Sequence, residues 1–169
     1  MNTLALALPN EVITVHGDDN PVFSNLVLIT ANGRITTTEF VTSDSVVLST
    51  AHGGIKTNGL RGHDIKLSTA NGHIDVDIDA LSGNLIGSSA NGKIDLSVAS
   101  ISGTTSEVKL STANGNIDVS LVSNFKTIAI VVFMQRTILP ENEYNSHYKH
   151  IYLFYISLMH SKLHLIFQP

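Results

Sequence analysis

The sequence predicts an all-β fold: a single-stranded β-solenoid of about five 20-residue repeats, followed by a C-terminal tail outside the repeat. Three observations lead there. A short motif recurs as Thr30-Ala31-Asn32-Gly33-Arg34-Ile35, Thr50-Ala51-His52-Gly53-Gly54-Ile55, Thr69-Ala70-Asn71-Gly72-His73-Ile74, Ser89-Ala90-Asn91-Gly92-Lys93-Ile94 and Thr112-Ala113-Asn114-Gly115-Asn116-Ile117. Its glycines are 20, 19, 20 and 23 residues apart, a period that marks stacked units. On both sides of the glycine, apolar and polar residues alternate with period two, as in strands with one buried face.

Aligned on the glycine, the repeats form columns. Seven residues before it stand Leu26, Val46, Ile65, Leu85 and Val108; five before, Leu28, Leu48, Leu67, Gly87 and Leu110. Two residues after it comes a pure isoleucine column, Ile35, Ile55, Ile74, Ile94 and Ile117, which the alternation assigns to the core. Four after it come Thr37, Thr57, Val76, Leu96 and Val119. The turn positions are Asn32-Gly33, Gly53, Asn71-Gly72, Asn91-Gly92 and Asn114-Gly115, where Asn-Gly favours positive φ. The recurring alanine before them suggests close approach of a neighbouring backbone. Looser turns are expected at Asn58-Gly59, Ser82-Gly83 and Ser102-Gly103.

Two architectures suit strand, tight turn, strand, loose turn. In a solenoid each repeat is one rung, and equal positions stack at about 4.8 Å. In an antiparallel meander or sandwich each Asn-Gly is a hairpin tip. Near-identical columns favour the solenoid, because stacking like on like rewards sameness.

Composition sets the limits. The chain has 169 residues, 43% apolar but only 6% aromatic, so its core volume must come from Ile, Leu, Val and Ala. With no cysteine, disulfides, thiolate zinc sites and a cysteine nucleophile are excluded. A formal charge of −4 argues against a nucleic-acid-binding surface. The apolar stretch Met1–Leu8 lacks the basic flank of a signal peptide. The runs 128–134 and 151–159 are shorter than the ~18–20 residues a spanning helix needs, so a membrane is not an expected partner.

Residues 1–124 read as the repeat domain, with recognisable repeats over 22–124 and Glu11–Gly17 as a front cap. Residues 125–169 differ sharply. They hold all four Tyr and four of the six Phe. They carry four Lys/Arg against two Glu, whereas 1–124 carries six against twelve acidic residues. This tail is read as helical or disordered, with Phe125–Leu139 and His150–Phe167 as candidate helical elements of a cap. The other readings are a peripheral membrane segment and a sequence foreign to the domain, and the abrupt change of composition favours the last.

The Ser/Thr-Ala-Asn-Gly-x-Ile-x-Val/Leu motif, as in Ser68–Val76 and Ser111–Val119, resembles the DUF4097-type family of adhesin-like β-repeat domains. The resemblance covers about 22–124 and implies an all-β repeat domain with no catalytic residues to carry over. Cell-surface display is suggested by the resemblance alone. The expected function is therefore a non-enzymatic, adhesin-like structural or binding domain. Its partner would be a surface glycan or protein, or another copy through an open sheet edge. The alternatives are an intracellular scaffold or oligomeriser and, less favoured, a β-helix enzyme acting on polysaccharide.

No cofactor and no metal are expected. Asp75, Asp95 and Asp118 share a column, with Asp77 and Asp79 nearby, and a carboxylate ladder could hold calcium. Thr36 and Lys56 interrupt it, and a solvated outer face explains it more simply. The asparagine column is read as turn chemistry in preference to an asparagine ladder or a glycan-contacting edge. His147 with His150, and His160 with His164, have metal-ligand spacing on a helix but no evident third ligand. No nucleophile elbow, zinc-protease segment or phosphate loop occurs.

Overall fold

The computed structural model describes residues 2–16, 20–102, 106–122, 128–137, 147–156 and 162–167. They form thirteen strands: β1 (Thr3–Leu8), β2 (Ile13–Val15), β3 (Val22–Thr30), β4 (Ile35–Thr37), β5 (Val41–Thr50), β6 (Ile55–Thr69), β7 (Ile74–Ser89), β8 (Ile94–Val98), β9 (Ser106–Thr112), β10 (Ile117–Val122), β11 (Ile128–Thr137), β12 (His147–Ile156) and β13 (Lys162–Phe167). Helix is absent among the described residues.

The repeats stack in parallel, as a solenoid and not as hairpins. One face runs β1, β3, β5, the second half of β6, the second half of β7, β9 and β11. The other runs β2, β4, the first halves of β6 and β7, β8 and β10. Pairing is column on column: Leu28 lies opposite Leu48, Leu48 opposite Leu67, and Ile55 opposite Ile74. The alternation in sequence therefore becomes one continuous aliphatic core between the two faces. Ile35, Ile55, Ile74, Ile94 and Ile117 are all buried within it. Thr37 and Thr57, paired in the next inward column, bury hydroxyls that have no hydrogen-bond partner among the described residues. Later rungs carry Val76, Leu96 and Val119 in that column, which removes the hydroxyl.

This packing sets an expected contrast. Ile74→Ala or Ile94→Ala should destabilise the protein by about 2–4 kcal/mol, the usual loss for a truncated buried side chain. Asp75→Ala, on the outer face of the same strand, should cost under about 0.5 kcal/mol. Urea melts of the three variants measure the difference, and equal losses would mean the faces are reversed.

Three features depart from the sequence expectation. The tight turns do not use positive φ: among the described residues only Asn20 and Gly59 have it. The looser turns at Asn58-Gly59 and Ser82-Gly83 are bends inside the continuous strands β6 and β7; Gly103 lies outside the described residues. A rung also precedes the first recognised repeat. β1 and β2 flank a turn at Pro9–Val12 and stack in register on β3 and β4.

The tail is strand where it is described, not helix or disorder. β11 extends the first face beyond residue 124, with Ile130 opposite Val108 and Val132 opposite Leu110. Both are fully buried. Two antiparallel strands finish the stack, β12 against β11 and β13 against β10. Half-buried Leu165, opposite Val119, packs on the core.

Candidate functional site

The turn rows have the most regular chemistry in the molecule. At each repeat glycine the previous rung comes so close that no side chain fits. A Cβ on Gly72 would overlap the carbonyl oxygen of Gly53 and stand 2.5 Å from its carbon. Gly53 stands in the same relation to Gly33, Gly92 to Gly72, and Gly115 to Gly92. The glycines are required by contact between rungs, not by a left-handed backbone.

The Ser/Thr three residues earlier locks this contact. Thr50 Oγ1 donates to Gly33 O at 2.9 Å, Thr69 Oγ1 to Gly53 O at 2.9 Å, Ser89 Oγ to Gly72 O at 3.0 Å and Thr112 Oγ1 to Gly92 O at 3.1 Å. Thr30 makes the same bond to Glu11 O at 3.1 Å. All five hydroxyl residues are buried. The sequence carries the signal, a hydroxyl at an inward position in all five repeats, but its partner, a carbonyl of the previous rung, comes within reach only when the rungs stack.

The asparagines form a ladder along the outside of the turn. Asn114 Nδ2 donates to Asn91 Oδ1 at 2.8 Å, and Asn91 Nδ2 to Asn71 Oδ1 at 2.7 Å. Asn32 Nδ2 donates to Asn10 Oδ1 at 2.6 Å, and Asn71 Nδ2 lies 3.0 Å from His52 Nδ1. With ordinary φ at these asparagines, ladder bonding replaces turn chemistry as the reason for the column.

Beside the ladder runs a groove of about 1140 Å³. Its floor is the buried Ser/Thr column. One wall is alanine: Ala31, Ala51, Ala70, Ala90 and Ala113. The other is mostly serine: Ser49, Ser68, Ser88 and Ser111, with Ile29 taking that place in the earlier rung. Ala7, Leu8 and Pro9 of the first rung line its N-terminal end. The groove crosses six rungs, five steps of about 4.8 Å, so it is about 24 Å long. No lining residue is charged, titratable or aromatic.

The acidic row lies on the opposite face. Lys56, Asp75, Asp95 and Asp118 are consecutive in register. Lys56 Nζ sits 2.6 Å from Asp75 Oδ2. Lys93 Nζ sits 2.6 Å from both Asp95 Oδ1 and Asp118 Oδ2. Hydrogen bonds to Asp118 and Asp95 raise the pKa of Lys93, and the bond to Asp75 raises that of Lys56. Lysines thus neutralise part of the row. No group of three or more metal-ligating side chains occurs among the described residues. His147 and His150 lie on β12 and His164 on β13, strands where helix spacing does not apply; His160 lies outside the described residues.

Stacked parallel rungs joined by a glycine contact define a β-solenoid repeat domain. The Toastrack DUF4097 family matches residues 14–129, from the first rung into β11, and the chain belongs to that family. No curated protein and no solved structure matches it.

Proposed function

We propose that this domain is a non-catalytic scaffold of adhesin-like type, and that the Ser/Ala groove is its contact surface for an extended, neutral glycan chain. The supporting observation is the groove's uniform lining. Four consecutive rungs offer a serine hydroxyl on one wall and an alanine methyl on the other, with no charge between them. A neutral glycan presents the same alternation of hydroxyl and C–H surface. Contacts repeated along one strand of ligand add up without any single strong one.

The lining also favours binding over turnover. Hydrolysis of a glycosidic bond needs a pair of carboxyl groups across the bond, and the groove has no carboxyl group. The acidic row lines only a small pocket of about 190 Å³; it repeats one residue type on successive rungs and is tied to Lys56 and Lys93.

Filling the groove tests the proposal. Ala70→Phe places a ring between the walls at mid-length, on a half-buried position that has room at the surface. In affinity electrophoresis through gels containing neutral polysaccharides, the wild type should be retarded by at least one. Ala70→Phe should lose that retardation at an unchanged melting temperature. A wild type that no neutral polysaccharide retards, or equal retardation of both proteins, would overturn the reading.

A further inference from the structure

The two ends of the stack are finished differently. At the C-terminal end both faces are covered by antiparallel strands, β12 on β11 and β13 on β10. At the N-terminal end β1 pairs with β3 alone and β2 with β4 alone, so among the described residues their outer edges have no partner. The core stops abruptly there. Leu6 stands in the column of Leu28 and Leu48, which are fully buried, yet it is 38% exposed. Leu4 and Leu8 beside it are only half-buried.

Exposed sheet edges are normally blunted by lysine, proline, a bulge or an inward charge. β1 reads Thr-Leu-Ala-Leu-Ala-Leu, with no charge and no proline, and its register with β3 is unbroken. Residues 4–8, Leu-Ala-Leu-Ala-Leu, also read the same in both directions. Antiparallel pairing centred on Leu6 would set Leu4 against Leu8, Ala5 against Ala7 and Leu6 against Leu6. A two-fold axis normal to the sheet keeps the inner faces of both copies on one side. The three leucines of each copy then close a common core, and the free edge of β1 meets its equivalent.

We infer that the N-terminal end of the solenoid binds a second copy of this chain, β1 against β1 in antiparallel pairing about Leu6. The exposed leucines supply the apolar contact, and the palindrome supplies the register. The interface adjoins the groove at Ala7 and Leu8, but Leu6, on which the pairing is centred, does not line the groove, so a substitution there tests this inference apart from the glycan proposal.

The chain has no cysteine, so Leu6→Cys introduces its only thiol. Directly opposed residues of an antiparallel pair have Cα atoms about 4.5–5.5 Å apart, within reach of a disulfide. Leu6→Cys should therefore oxidise to a covalent dimer. Asn58→Cys, at an exposed bend, should remain largely uncrosslinked under the same conditions. In sedimentation the full-length wild type should run as a dimer at micromolar concentration. Leu6→Glu should weaken association at least about tenfold, a change of about 1.4 kcal/mol, with its circular dichroism unchanged. A monomeric wild type, equal crosslinking of the two cysteine variants, or dimers that persist in Leu6→Glu would overturn the inference. Should Leu6→Glu fail to fold, wild-type sedimentation and the cysteine pair decide alone.

Discussion

Gly72→Ala is expected to destabilise the protein by about 3–5 kcal/mol, the upper range for a single substitution. The added Cβ meets backbone, which cannot turn aside as a side-chain tip can. It would overlap Gly53 O and stand 2.5 Å from Gly53 C and 3.0 Å from Thr69 Oγ1. Thr69 Oγ1 itself holds Gly53 O at 2.9 Å, so relieving the clash also strains that part-buried bond. The two rungs must part locally, and the core columns part with them. Gly54→Ala provides the contrast on the neighbouring residue. Its Cβ would find nothing nearer than His73 O at 3.3 Å. That variant should stay within about 1 kcal/mol of wild type, since a tolerated Gly→Ala change also reduces unfolded-state entropy. Urea denaturation of the two variants compares them directly, and matching midpoints would dispose of rung contact as the reason for the glycine column.

Removing residues 125–169 is expected to make the protein associate into species larger than the discrete oligomer of the full chain. The deletion strips β11 from β9 and β13 from β10. Val108 and Leu110 lose Ile130 and Val132 from the next rung, and Val119 and Leu121 lose the cover of β13. Two parallel edges with apolar inner faces are then open to other chains. Light scattering of full-length protein and fragment 1–124 at matched concentration reads this out. In the full chain, Ile130→Ala should also cost about 2–4 kcal/mol, as a buried position does. A well-behaved fragment together with a silent Ile130→Ala would show that the tail does not complete the stack.

The glycine, isoleucine and leucine columns were legible in the sequence because stacking sets identical neighbours in identical surroundings. Parallel register then followed from sameness: Ile74 lies on Ile55 and under Ile94. The first rung was harder to see for a reason within the same physics. Glu11 holds the place of the glycine there, and the residue it would have to clear in a preceding rung is absent among the described residues, so a side chain is tolerated. Asn10 still occupies the asparagine column and Ile13 the isoleucine column. The tail strands escaped notice because they take their places through Ile130 and Val132 without the turn motif, and because the strands beyond them run antiparallel. The groove could not be read from a single repeat. Its walls are ordinary small residues, and only stacking lines them up.

Among the described residues, rung length varies on one side of the molecule alone. Leu81 pairs with Ile101, a step of 101 − 81 = 20 residues, but Leu85 pairs with Val108, a step of 108 − 85 = 23. The additional residues therefore enter between Ile101 and Val108, away from the glycine contact. The shifts between Thr57 and Asp64 fall at the equivalent bend of another rung. The solenoid thus resembles a bound book, with a spine that fixes the spacing of every page and a fore-edge that can be cut ragged. Insertions, grafted loops and drift in sequence have one flank on which to accumulate, and rungs can be added or lost only as whole leaves. Length along the axis then changes in steps of about 4.8 Å, while the spine keeps its hydroxyl, glycine and asparagine rows in line.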